Sequence, residues 1–392
     1  MKISLTLLLL TTLHFSTLHS QPAPKILDKA LDRIYRKSNL PGFAVAIIKG
    51  EEIWLSKGYG YANLKTKATF TTETIMPVGS VSKTFIGMAL MKGVALGHFS
   101  LNTPINEVLP FRVTNPHRPQ DTIRIWHLAT HTSGIIDRDS AYWKTYQLGT
   151  KPTISLRDFL YAYFTPTGSQ YRVHNFDSLA PGTRFNYSNI GSALAALIIE
   201  NTTSVTFDEF SKVQIIEPLG LKNTHWFYLP EKDKSYATLY DVNTPEELYK
   251  PFLNSDKSLK PYTSITYPDG SLKTNVDDLS GYIIELIKAH DGKSHILDQA
   301  MCSTLFKAQF TSDNMPENML ASEPNRAIFW AYNRKGRLTH TGSDPGVFAA
   351  ISIDLEKKIG RILLTNTSID SQNNEKTVSS IKEIISFLDS VD

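Results

Sequence analysis

A chain of 392 residues, 41% hydrophobic and 20% charged, is ordinary globular material, long enough for one large composite domain or two. A formal net charge of +3 offers no basic face for nucleic acid or a membrane surface, and the chain carries no repeat or low-complexity tract. Its single cysteine, Cys302, rules out an intramolecular disulfide.

The N-terminus stands apart. Lys2 precedes an apolar run from Leu5 to Leu10 that continues unevenly to Leu18. A basic start, an apolar stretch too short to span a bilayer and then a small residue predict a secretory signal peptide over residues 1–20, cut between Ser20 and Gln21. No cysteine lies near the cut, so lipid attachment there is not expected. No later apolar run is long enough for a membrane span, and the mature product is expected to be periplasmic or secreted, as in bacteria.

In Lys25–Ser38 the apolar residues Ile26, Leu27, Ala30, Leu31 and Ile34 have helical spacing, ended by Pro41-Gly42. Phe43–Ile48 and Ile53–Lys57 read as strands joined by the turn Lys49-Gly50-Glu51-Glu52. Ser80–Gly97 is apolar on nearly every side, which predicts a helix buried through the centre of the molecule. Ala193–Ile199 is a further apolar helix. Near the C-terminus Arg337–Thr341, Val347–Asp354 and Ile359–Thr365 read as strands, and Glu375–Leu388 as a closing helix. Strands at both ends and helices between them predict an α/β (α+β) fold. One antiparallel sheet is built from both termini and flanked by helices, with a mostly helical insertion. The expected division is a sheet-bearing part over about residues 25–105 and 275–392 and an insertion over about 106–274, within one domain, 21–392.

Ser80-Val81-Ser82-Lys83 opens the buried helix and places Ser80 and Lys83 on one face. A serine hydroxyl is a poor nucleophile until a base takes its proton. Lys83 can be that base when uncharged, a form favoured by apolar burial and by the positive end of a helix dipole. Backbone N–H groups at a helix start also suit a developing oxyanion. Alone, the spacing is explained more readily by a helix cap and a snorkelling lysine. His127 and His131 are spaced as two metal ligands on one helix face would be, but no glutamate follows His127, and neither a metal nor any other cofactor is expected.

The wider context changes the weight of that serine. His127-Leu128-Ala129-Thr130-His131-Thr132-Ser133-Gly134-Ile135 lies between it and the run Pro181-Gly182-Thr183-Arg184-Phe185-Asn186-Tyr187-Ser188-Asn189-Ile190-Gly191. Glu217-Pro218-Leu219-Gly220-Leu221 and His340-Thr341-Gly342-Ser343 follow. With these in order, and with Pro77-Val78-Gly79 and Tyr267–Leu279 as flanks, the sequence resembles class C β-lactamases, D-alanyl-D-alanine carboxypeptidases and related serine esterases over about residues 25–390. Those proteins share Ser-x-x-Lys, Tyr-x-Asn and a Lys/His-Thr-Gly strand. The resemblance implies that Ser80 is acylated, Lys83 takes its proton and Tyr187 shuttles protons. It also implies that Asn189 binds Lys83 and the substrate amide, that the strand His340-Thr341-Gly342 binds substrate, and that the N–H groups of Ser80 and Ser343 form an oxyanion hole.

The departure from the pattern is His340, where many β-lactamases have a lysine to hold a substrate carboxylate. Histidine is mostly neutral near pH 7 unless a neighbour raises its pKa. Arg184 and Arg337 are the candidates for a replacement cation. The expected activity is a serine hydrolase acting on an ester, a D-amino-acid peptide or a β-lactam-type amide, with a small molecule or peptidoglycan-derived peptide as partner. The competing reading is a penicillin- or peptidoglycan-binding sensor or scaffold that acylates poorly. The intact Ser80, Lys83, Tyr187 and Asn189 set argues for the enzyme.

Overall fold

A computed structural model describes residues 25–240, 250–369 and 375–391. The expected signal segment, 1–20, lies outside the described residues.

The sheet has eight strands: β1 (Gly42–Lys49), β2 (Glu52–Asn63), β3 (Ala68–Thr69), β4 (Asn325–Ala327), β5 (Trp330–Tyr332), β6 (Leu338–Asp344), β7 (Val347–Asp354) and β8 (Ile359–Thr365), in the order β3-β2-β1-β8-β7-β6-β5-β4. The first strand pairs with the last, antiparallel, from Phe43 opposite Thr365 to Lys49 opposite Ile359, so both ends of the chain build one sheet. The principal helices are α1 (Lys25–Lys37), α2 (Ser82–Ala95), α3 (Asn189–Thr203), α4 (Val276–His290) and α5 (Glu375–Asp389).

Side-chain alternation along β1 explains the layering. Phe43, Val45 and Ile47 join Leu31, Ile34, Ile381 and Ile384 in a core under α1 and α5. Ala44, Ala46 and Ile48 point the other way, into the larger core that holds α2, α3 and α4. A strand covered on both faces reads as a continuous apolar run, as Phe43–Ile48 does. Helix α2 is buried from Ser82 through Met91 and runs between the sheet and the helical region.

Three differences from expectation have physical causes. Strand β2 continues six residues past Lys57. Its extension contains Gly58 and Gly60, which mask a strand signal but are required there: a β-carbon on Gly58 would lie 2.0 Å from the Phe70 carbonyl oxygen, and Gly60 has φ +74°. The helix expected from Ser80 begins at Ser82, preceded by a 3-10 turn over Gly79–Val81. The helical region also holds a two-stranded ribbon, Tyr146–Leu148 against Tyr262–Ser264, too short to leave a period in the sequence. Among the described residues no single helix is long and apolar enough to cross a membrane.

Candidate active site

Ser80 is the middle residue of the 3-10 turn and is half-buried at the head of α2. The turn starts at Gly79, whose φ of +51° is strained for any residue with a β-carbon. It packs against β6. A β-carbon on Gly342 would lie 1.9 Å from the Val78 carbonyl oxygen and 3.0 Å from the Ser80 nitrogen, and one on Gly79 would lie 2.9 Å from the Ser343 nitrogen. The two glycines let the strand backbone reach the serine. Strand β6 pairs with β5 only at Leu338 and Thr339, so among the described residues no strand covers the far edge of His340–Asp344, and the side chains of Thr341 and Ser343 are exposed.

One helical turn beyond Ser80, Lys83 is wholly buried. Its Nζ lies 3.0 Å from Ser80 Oγ and donates to Asn189 Oδ1 at 2.7 Å and to the Asp269 carbonyl oxygen at 2.6 Å. It also sits 5.0 Å from the centroid of the Tyr187 ring. Asn189 begins α3, for which Ser188 is the cap, its Oγ accepting from the Gly191 N–H at 2.8 Å. Ser80, Tyr187 and Asn189, from two segments far apart in sequence, thus converge on the Lys83 amine.

The second motif is held from two sides. The His131 ring stacks on Tyr187 with centroids 4.4 Å apart, and its Nδ1 accepts the Ser188 N–H at 3.2 Å. Burial drives the His131 pKa well below its ordinary value, helped by the charges of Arg326 and Lys83, so the ring is neutral and available as acceptor. On the other side the Asp137 carboxylate accepts from Ser188 Oγ, from the Asn189 N–H and from the Ile190 N–H.

His340 is buried on the inward face of β6. Its Nδ1 donates to the Thr341 carbonyl oxygen at 2.8 Å, which leaves Nε2 as the acceptor nitrogen of the neutral ring. Burial, then the Lys83 charge, pushes its pKa down to about 3, so its neighbours keep it uncharged. Neither candidate replacement cation stands beside it. Arg184 pairs with Asp177 at 3.0 Å and Glu317 at 3.3 Å, and Arg337 with Asp389 at 2.9 Å next to α5. The arginine whose charge does reach His340 and His131 is Arg326 on β4. It is paired with Glu323 at 2.7 Å and lies 4.2 Å over the Phe185 ring.

Asp269 and Asp344 complete the surroundings. Burial raises the Asp269 carboxyl to about 6 and the Asp344 carboxyl to about 7. Tyr142 donates to the former at 3.0 Å and Tyr146 to the latter at 2.6 Å. Asp137, His131, Arg326, Asp269 and Asp344 were all missed as site residues in the sequence. The three aspartates and Arg326 are lone polar residues without a spacing signal, although Asp137 follows the Ser133-Gly134 turn and Asp269 lies inside the flank Tyr267–Leu279; His131 has its spacing from His127, which pointed to a metal ligand and not to a partner of Tyr187 and Ser188. His127 faces a local duty instead, its Nδ1 accepting the Arg124 N–H at 2.9 Å. Among the described residues no group of three or more His, Cys, Asp or Glu could hold a metal ion.

A sheet closed from both chain ends, with a serine and a buried lysine heading the helix beneath it, defines the class to which the comparisons also lead. The sequence model of the beta-lactamase family matches residues 27–383, and the chain belongs to that family. Protein flp of Staphylococcus aureus (strain N315) is 24% identical over 350 residues, 87% of this chain; the chain spans only 62% of the length of that curated relative. Among solved structures, the beta-lactamase/D-alanine carboxypeptidase of Yersinia pestis shares the fold with a TM-score of 0.69 at 16% identity, over 93% of this chain and 97% of that one. EstCE1, described as a hydrolase with promiscuous acyltransferase activity, does so with a TM-score of 0.70 at 18% identity, over 92% and 98%.

Proposed function

We propose that this protein is an exported serine hydrolase that opens esters or amides through an acyl-enzyme on Ser80. The observation that carries the reading is the bonding of Lys83. Its three N–H groups reach Asn189 Oδ1, the Asp269 carbonyl and, at 3.0 Å, Ser80 Oγ; because the first two partners can only accept, loss of one proton leaves two N–H groups on them and turns the lone pair to the Ser80 hydroxyl. That is the arrangement a general base needs before the serine attacks.

In the proposed cycle Ser80 Oγ bonds to the substrate carbonyl carbon as its proton passes to Lys83 Nζ. The oxyanion is held by the N–H groups of Ser80 and Ser343, which the approach of Gly342 and Gly79 supports. Tyr187, its ring beside the Lys83 amine, relays that proton to the leaving group as the scissile bond breaks, and later helps water release the acyl group. The free edge of His340–Ser343 would pair with an extended substrate. With His340 neutral and Arg326 committed to Glu323, the site favours substrates without a carboxylate, so neutral esters rank ahead of penicillins.

The test is labelling with a fluorescent fluorophosphonate, location of the adduct by peptide mass spectrometry, and turnover of a p-nitrophenyl ester by wild type and Ser80→Ala. An adduct on Ser80 and loss of turnover in the variant are expected; an adduct elsewhere sinks the reading. Export is checked separately by the mass of the mature chain, expected to begin at Gln21.

A further inference from the structure

We propose that Asp137 is a positioning residue that holds the Tyr187-Ser188-Asn189 turn in register with Lys83. The inference rests on the reading of Ser80 and Lys83 given above and extends it to a residue outside all three motifs.

The backbone around Asp137 is fixed on both sides by one phenol. The Tyr163 hydroxyl donates to the Ile136 carbonyl at 2.6 Å and accepts the Arg138 N–H at 3.2 Å. The Ile136 N–H bonds the Asn175 carbonyl at 3.0 Å, and the Arg138 guanidinium donates to Asn175 Oδ1 at 3.1 Å and the Gln170 carbonyl at 2.8 Å. From this platform the carboxylate takes all its donors from one short segment. Oδ1 accepts Ser188 Oγ at 2.6 Å and the Ile190 N–H at 3.1 Å, and Oδ2 accepts the Asn189 N–H at 2.6 Å.

Ordinary capping does not require this. The Ser188 side chain already caps α3 through the Gly191 N–H. What the three bonds add is a fixed place for Asn189, whose Oδ1 takes one Lys83 hydrogen, and for Tyr187 one residue earlier. A slip of this turn would swing the Lys83 amine away from Ser80 while leaving the substrate-binding strand β6 untouched. Burial raises the Asp137 pKa, whereas its three hydrogen bonds and the Lys83 charge hold it down, which ties its ionised form to the intact turn.

Asp137→Asn keeps the shape but presents an amide N–H to a group that also donates, so one of the three bonds becomes a clash. With a neutral p-nitrophenyl ester, kcat is expected to fall ~10–100-fold, as when a reacting group is misplaced by a fraction of an ångström to an ångström, with KM within ~2-fold. The same substitution in an Asn189→Ala background is expected to cost less than ~3-fold, because the path to Lys83 is already cut. An equal loss in both backgrounds, a loss confined to KM, or wild-type kcat in Asp137→Asn would overturn the proposal. Should Asp137→Asn not fold, Asp137→Glu, which keeps the charge but displaces it, is expected to fold and show the same kcat loss. Failure of both to fold would assign Asp137 to stability instead. Turnover that survives in Ser80→Ala, measured in parallel, overturns the underlying reading and this one together, whereas normal Asp137 variants with a dead Ser80→Ala overturn this one alone.

Discussion

Gly342 meets Val78 so closely that a β-carbon on the glycine would lie 1.9 Å from the Val78 carbonyl oxygen. The contact joins β6 to the turn that carries Ser80, and through it the two N–H groups proposed for the oxyanion are set side by side. Alanine at this position must push strand and turn apart. Gly342→Ala is expected to lower kcat/KM for a neutral ester by roughly 10²–10³-fold, the scale of a lost oxyanion donor. It should do so with only a modest fall in Tm, since the rest of β6 stays paired with β7 from Leu338 to Asp344. Steady-state kinetics with a thermal melt decides it; a fully active alanine variant would mean that the strand does not need this approach.

Tyr187 offers a cleaner separation of packing from chemistry. Its ring stacks on His131 and lies beside the Lys83 amine. Phenylalanine preserves both contacts and removes only the hydroxyl. If the hydroxyl relays protons, Tyr187→Phe should lose roughly 10²–10⁴-fold in kcat, the range for a general acid–base group. A variant within a few-fold of wild type would reduce Tyr187 to a packing residue.

The parts of this molecule that were legible in the sequence are those with periodicity or motif. The apolar run of β1 and the uniformly apolar α2 announced a strand and a helix buried on all sides, and Val347–Asp354 and Ile359–Thr365 emerged with those bounds. Ser80, Lys83, Tyr187 and Asn189 could be singled out because their residue types recur in order. Asp137 and Asp269 could not. The carboxylate of one and the backbone carbonyl of the other serve the site through hydrogen bonds to residues far away in sequence, and a sequence lists no distances. The charge state of His340 was equally hidden. It follows from burial beside Lys83 and Arg326, one contributed by α2 and the other by β4.

That charge state has a consequence for stability. The folded His340 pKa of about 3 lies below the ordinary value of 6.5, so the unfolded chain binds a proton that the native one refuses between those limits. Its contribution is therefore neutral above pH 6.5 and turns increasingly destabilising as pH falls. Replacing it by the non-titrating glutamine removes this one term. Between pH 6.5 and 5 the unfolding free energy of wild type should drop by about 2 kcal/mol more than that of His340→Gln, from 1.36 kcal/mol per pH unit for one proton. Denaturant melts at the two pH values measure the difference; parallel behaviour of the two proteins would show that His340 titrates normally in the folded state.

The same residue sets the expected substrate preference. Because His340 stays neutral, the ratio of kcat/KM for a neutral p-nitrophenyl ester to that for a penicillin should not change through protonation of His340 between pH 5 and 8. His340→Lys at fixed pH supplies a cation on the strand beside Ser80. A charge-assisted bond to a substrate carboxylate contributes roughly 1.5–3 kcal/mol, or about 10–150-fold in affinity. Lys83 and Arg326 already charge this corner and oppose a third cation, so the gain should sit near the lower end, about 10-fold toward penicillins. Competition between the two substrates on one enzyme sample reads the ratio directly and cancels any loss of folded protein. If the ratio is the same in His340→Lys as in wild type, residue 340 does not face the substrate carboxylate, and the preference for uncharged esters must be set by another wall of the cleft, even where Ser80 proves to be the nucleophile.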